Sequence, residues 1–367
     1  MISFDTTFPA DSLEFCPISG FQHVFVCGTY KLEDQPTQIA MDEPKETEES
    51  ETRLKVPQRR KGQCLTFKLL GSSPDPSFQQ VQTFNLPAIL DMKWSHRSEN
   101  LPPLLGLADS EGSITLHEWR EDAFTQTQSV RCAPADTLVL SLDWSNRRSK
   151  GSEMGSIVAS LSDGSICILR AREGDSMGIT DTWHAHDYEP WVAAWNYWDT
   201  NIIYSGGDDL KFKAWDVRQG FDQPVATNKR FDAGVTSIQS HPHVENLIAV
   251  GSYNNSVKLF DARKLSAPIT DVDVGGGAWR IKWHPSEARK RDLLVASMHD
   301  GFKVVRFGIS SDDGDSFSST SEIINRNDEH SSMAYGADWC FAGSDADRET
   351  VIGGCSFYDH KMSLWNA

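Results

Sequence analysis

The 367-residue chain has no apolar run approaching the ~20 residues that would span a bilayer. A helical membrane protein is therefore excluded. Its start, MISFDTTFPADSLEF, has no positive end followed by an apolar stretch, so no secretory leader is expected. Cysteine is scarce: seven residues, an odd number, with no CxxC pair. That excludes a disulfide scaffold and fits buried free thiols in a reducing, cytoplasmic setting. Positive charge is short as well, with 35 Lys and Arg against 52 Asp and Glu and a net charge of −17. Sequence-independent nucleic-acid binding needs basic surface, so it is not expected. A basic protein partner, drawn in by electrostatic steering, is. Familiar enzyme motifs are missing too: no GxSxG elbow, no Walker loop, no GxGxxG after a strand and no HExxH. The GGG at 275–277 precedes a strand rather than a helix, which suits a tight strand-to-strand loop better than a phosphate cradle.

What the chain does have is a repeat. Asp163, Asp209, Asn254, Asp300 and Asp359 each sit at a turn before a short alternating apolar strand. The first four lie about 45 residues apart, the period of a four-stranded propeller blade. The strands after those turns are ICIL (166–169), FKAW (212–215), VKLF (257–260), FKVV (302–305) and MSLW (362–365). CLTF (64–67) and SITL (113–116) bring the number to seven. Opening strands recur as well, from SLEF (12–15) through ILDMKW (89–94), VLSLDW (139–144), WVAAW (191–195), VTSIQS (235–240) and WRIKW (279–283) to YGADW (335–339). Alternation with β-branched and aromatic enrichment makes these strands. A blade cannot bury both faces alone, so the copies imply a closed ring. The expectation is an all-β, seven-bladed propeller of the WD-repeat type.

The last blade ends on its third strand, and residues 2–8 (ISFDTTF) have no other partner, so they should complete it and close the ring. Residues 1–367 are then one domain. Two stretches break the repeat, 33–60 and 308–330, both polar and read as mobile surface insertions. Their net charges of −3 and −5 leave −9 for the rest, so the body is acidic in its own right.

Candidate chemistry falls in three places. His184-Ala-His186-Asp187 has spacing that can hold a metal, but no third ligand is evident, so no metal is expected. His186 either bonds the turn carboxylate of its own blade or works with Asp187 as a base. Asp359-His360, with Ser356 and Cys355 nearby, offers a second base and rival nucleophiles. Trp191, Trp279 and Tyr335 open the inner strands of their blades, while Tyr253 and Tyr358 sit beside turns. These five can form an aromatic patch around the channel mouth, suited to a cation.

One family resemblance stands out. FVCGTYKLE (25–33), HDYEPWVAAWNYWDTNIIYSGGDDLKFKAWDVR (186–218), GVTSIQSHP (234–242) and VGSYNNSVKLFDARK (250–264) carry it, extended by GGAWRIKWHP (276–285), MHDGFKV (298–304), YGADW (335–339) and CSFYDHKMSLW (355–365). Together they resemble the WD-repeat diphthine methyl ester hydrolases of diphthamide biosynthesis. The likeness covers the first blade and blades four to seven; blades two and three match weakly, and the two insertions not at all. It implies removal of a methyl ester from a modified histidine of translation elongation factor 2, with no cofactor. The reaction needs a water or nucleophile, a base and oxyanion donors. His186 with Asp187, or His360 with Asp359, would activate water, and Arg280 or a backbone N–H in 275–277 would hold the oxyanion. The substrate's trimethylammonium would sit among Trp191, Trp279, Tyr253, Tyr335 and Tyr358. The alternative is a scaffold with no chemistry, since fold alone does not specify function.

Overall fold

The computed structural model describes all residues except 34–57, 72–75, 149–150, 152–153, 175, 311–315 and 343–348. Seven antiparallel sheets follow one another around a ring. Each is a blade whose strands run outward in chain order, apart from the outer strand of the last. Blade one comprises Ala10–Phe15, Val24–Thr29, Arg60–Gly71 and Ser77–Pro87, with the two-residue Lys31–Leu32 pairing beside them. The inner strands of blades two to seven are Ile89–Trp94, Val139–Trp144, Val192–Trp195, Val235–Ser240, Arg280–Trp283 and Ala334–Trp339. Ile2–Asp5 pairs with Lys361–Asn366 and supplies the outer strand of blade seven, so the ring closes through the chain start. The pairing covers the outer edge of Lys361–Asn366.

The core lies between the blades. Inner and middle strands are buried along nearly their whole length, and apolar clusters join each blade to the next. Tryptophans at the lower ends of inner strands add polar ties. The indole N–H of Trp144 donates to Lys93 O at 2.9 Å, and that of Trp339 to Lys282 O at 2.9 Å, each one blade back. Carboxylates tie the other way: Asp338 accepts from Phe15 N at 2.8 Å and Asp143 from Trp195 N at 2.9 Å. All seven cysteines are free thiols and six are buried.

The expected insertion at 33–60 lies, apart from its ends, outside the described residues. At 308–330 the expectation of a mobile loop is corrected: Phe317–Asn327 is the outer strand of blade six, paired with Phe302–Ile309. An outer strand faces solvent on most of its length, so it carries Ser, Thr and Glu and loses the apolar alternation that marks the inner ones. Only its ends are buried, Phe317 against Trp283 and Phe307, and Asn327.

One backbone detail builds the upper mouth of the channel, the end where inner strands begin. In five blades the inner strand carries an extra residue at a register shift. These residues are Asp11, Leu90, Leu140, Thr236 and Tyr335 in blades one, two, three, five and seven. In blades four and six the residue just before the first paired position is Trp191 and Trp279. The seven positions form one ring, and Asp11 is its single charged member.

Candidate functional site

The aromatic residues singled out from the sequence meet on this upper mouth. Trp191 and Trp279 lie 5.4 Å apart between ring centroids in an edge-on contact. Blades four and six are not neighbours, so both indoles lean across the inner strand of blade five, where the small Thr236 leaves room. Tyr253 closes the triangle at 6.4 Å from Trp191 and 5.9 Å from Trp279. Tyr335 stacks on Trp279 at 5.0 Å. Phe357 follows at 5.2 Å from Tyr335 and carries the row to the exposed Tyr358 at 5.0 Å, and to Tyr30 at 6.0 Å. Edge-on and offset rings of this kind leave π-faces open to a cation. Among the described residues, the buried Trp279 Nε1 has no hydrogen-bond partner.

Two carboxyl groups accompany the rings, and neither was picked out from the sequence. Asp11 is 7% exposed, and burial pushes its carboxyl up to about 7, with the Arg280 guanidinium opposing. Asp208 lies by Trp191 and Tyr253; burial raises its carboxyl and the Trp191 indole N–H pulls it partly back. Asp11 sits in an ordinary strand sequence, ADSLEF, and only the register shift shows that it shares a ring with Trp279 and Tyr335. Asp208 was passed over as the first half of an Asp-Asp turn.

The channel below is charged and fully paired. Arg280 reaches Asp91 across the channel at 3.2 Å. Lys93 and Lys282 both grip Glu14, at 2.8 and 2.6 Å. Burial opposes ionisation of Glu14, but the two lysines overcome it and hold its carboxyl down at about 2. Arg280 is thus committed to ion pairs and lies a layer beneath the rings. In the glycine loop, Gly275 has φ +77° and its N–H is engaged, donating to Asp273 Oδ1 at 2.8 Å.

The expected base pairs do not form. His186 is buried, with Nδ1 on Asp209 at 2.8 Å and Nε2 on Ser205 Oγ at 2.8 Å. Ser205 in turn accepts from Trp215 Nε1 at 2.9 Å. Burial lowers the His186 pKa. Asp187 is exposed and paired with Lys211 at 2.5 Å, away from His186. In blade seven the imidazole beside Asp359 is His330, which the sequence reading missed, and not His360. His330 Nδ1 meets Ser356 Oγ at 2.6 Å and its Nε2 meets Ser363 Oγ at 2.6 Å. Ser356 donates to Asp359 at 2.5 Å. His360 sits at φ +53° in the turn, its carbonyl accepting from Thr6 N at 2.8 Å. Ser356 and Cys355 are fully buried, and burial together with neighbouring Cys27 raises the Cys355 thiol. Each network links a loop to the strands of its own blade, which is a structural use of histidine and serine. Neighbouring loops could have revealed His330, since it occupies in blade seven the place that His186 holds in blade four.

Ring, blade order and histidine–carboxylate networks define a WD-repeat propeller with an acidic, aromatic upper mouth. No family model matches the chain. A chain of the solved mitotic checkpoint complex superposes with a TM-score of 0.67 at 15% identity, covering 100% of this chain and 91% of that one, a likeness of fold alone. The mouse protein named diphthine methyltransferase is 38% identical over 91% of this chain and 68% of its own length. The Dictyostelium discoideum diphthine methyltransferase homolog is 35% identical over 98% of this chain and 96% of its own. The chain belongs to the diphthine methyltransferase family.

Both names denote methyl transfer. The ester-hydrolase reaction and the hydrolase class expected from the resemblance are therefore overturned. The place in diphthamide biosynthesis stands. Propeller motifs such as NYW and YSGGDD mark the family through its blades and rim, and nothing in them names the reaction.

Proposed function

We propose that the chain acts on the diphthine side chain of translation elongation factor 2, at a methyl-transfer step of diphthamide biosynthesis. The observation that carries this reading is the row Trp191, Tyr253, Trp279 and Tyr335 on the upper mouth, flanked by Asp11 and Asp208. Diphthine carries a trimethylammonium group. Such a cation gains about 0.5–2 kcal/mol on each well-placed aromatic face. Relatives named for diphthine support the substrate, and the net charge of −17 suits a basic partner surface.

The family name implies a methyl donor, which supplies the carbon that moves. Sulfonium donors are cations, and the rim fits such a group: Trp191 and Tyr253 beside Asp208 are one acidic, aromatic half, and Trp279 and Tyr335 beside Asp11 the other. The chain's own part is to bind and orient charged groups over the channel. Catalysis by His186, Asp187, Asp359, His360 or Ser356 has no support from their placement. Arg280 contributes by fixing Asp91 and by its field on Asp11.

The test incubates purified chain with elongation factor 2 bearing diphthine and an isotope-labelled methyl donor, then reads the mass of the modified peptide. A change of one methyl unit is expected, lost in Trp279→Ala. Unchanged mass with retained binding would leave a scaffold.

A further inference from the structure

The upper ring contains one charged residue, and its placement has a consequence for selectivity. Asp11 stands in blade one beside Tyr335 of blade seven, whose ring stacks on Trp279 of blade six. The inner strands of blades seven and one approach closely there: a Cβ on Gly336 would meet Leu13 N at 2.6 Å. Asp11 is itself the extra residue of its strand, one turn of the pleat from this close approach. Its carboxyl is more than nine-tenths buried. Below it, Arg280 is engaged by Asp91 at 3.2 Å, and Asp91 also holds Lys93 at 2.6 Å. The cations of the channel are therefore shared with other acids, and Asp11 keeps a carboxyl at the aromatic end.

We propose that Asp11 is the specificity-determining counter-ion of the site, selecting a quaternary ammonium over a neutral side chain of the same shape. This rests on the reading of the rim as the diphthine site. Aromatic faces alone discriminate weakly, because a neutral tert-butyl group packs on them nearly as well as trimethylammonium. A buried carboxylate beside them adds a Coulomb attraction that only the cation receives, in a setting where water screens little.

The same placement predicts linkage to protons. The groups facing Asp11 are Arg280 and Asp91 below it, and Tyr30, Tyr335 and the Cys355 thiol around it. With its carboxyl near 7 in the free protein, Asp11 is mostly protonated at pH 6 and mostly ionised at pH 8. A bound cation favours the ionised form, so binding releases a proton and affinity rises with pH. For a group titrating near 7, the change from pH 6 to pH 8 is about tenfold.

The experiment measures binding of elongation factor 2 bearing diphthine to the full chain at pH 6, 7 and 8, by calorimetry in buffers of different ionisation enthalpy. The wild type should bind about tenfold more tightly at pH 8 than at pH 6, with proton release. Asp11→Asn should bind weakly and show a flat profile. A wild-type profile in Asp11→Asn would overturn the proposal. If Trp279→Ala and Tyr335→Ala abolish binding while Asp11→Asn does not, the counter-ion fails and the rim survives. If neither Trp279→Ala nor Tyr335→Ala changes binding, the rim reading itself fails. Should Asp11→Asn not fold, the wild type alone decides, using two peptides that differ only in trimethylammonium against tert-butyl. Its preference for the charged peptide must grow from pH 6 to pH 8, and a constant preference refutes the role of Asp11.

Discussion

The two ends of the channel are built from the same inner strands and have opposite chemistry. The lower mouth encloses a cavity of about 380 Å³ walled by Trp94, Tyr197, Trp283 and Trp339, with Glu14, Arg147, Lys282 and Asp338 among its lining residues. Its charges satisfy one another: Lys282 bonds Glu14 and faces Asp338 at 3.4 Å, while Arg147 holds Asp143 at 2.9 Å. Both mouths have rings and carboxyls raised by burial, but among the described residues Asp11 and Asp208 of the upper mouth form no ion pair, whereas Asp338 below faces Lys282. Interactions that are complete within the protein fasten blades together; the upper mouth leaves its carboxyls and π-faces for something else. Polar groups buried and paired serve the fold, and polar groups buried without a charged partner of their own are poised to bind.

The largest expected effect probes the lower end. Glu14→Ala leaves Lys93 and Lys282 buried without their shared acid, which costs about 3–5 kcal/mol. Chemical denaturation should show it, and a loss below about 1 kcal/mol would mean that the lower charges do not fasten the ring. Acid comes next. Burial depresses His117 and His330 to about 4 and His284 to about 3. The unfolded chain takes up these protons near pH 6.5 while the folded one resists, so stability falls as pH drops from 6.5 toward 4. Each histidine contributes up to about 1.4 kcal/mol per pH unit. Asp11 and Asp338, raised to about 7 and about 6, act oppositely and lose stability as pH rises through those values. Asp11→Asn should therefore steepen the acid decline, which melting curves from pH 4 to pH 7 can read.

A smaller effect separates networks from rim. His186→Ala removes bonds to Asp209 and Ser205 and should cost about 1–3 kcal/mol of stability. Affinity for diphthine-bearing elongation factor 2 should stay within about threefold; a loss of turnover with intact stability would return His186 to the site. The smallest effect is at Tyr358, which is 67% exposed. Tyr358→Ala should leave stability within about 0.5 kcal/mol and weaken binding by about 0.5–1 kcal/mol if the row extends that far.

Seven blades, closure through residues 2–5 and the aromatic rim were legible because they rest on periodicity. Inner strands repeat an apolar alternation, and Trp191, Trp279 and Tyr335 share one phase of it. The outer strand at Phe317–Asn327 was not legible, since a solvated strand looks like a polar loop. His186 does bond the turn carboxylate of its own blade, Asp209, as one reading expected, but the two base pairs misled for another reason. His186 next to Asp187, and Asp359 next to His360, are neighbours in sequence whose side chains diverge at turns, whereas Asp209 and His330 arrive from the far ends of hairpins.

The amino-acid order by itself determined the repeat and the ring, through a local pattern copied seven times, and the family, through motifs particular to single blades. Tertiary structure alone decided that Asp11 joins the rings at the upper mouth. Asp11, Trp191, Trp279 and Tyr335 lie in four different blades, and only ring closure and a one-residue shift in strand register bring them to one place.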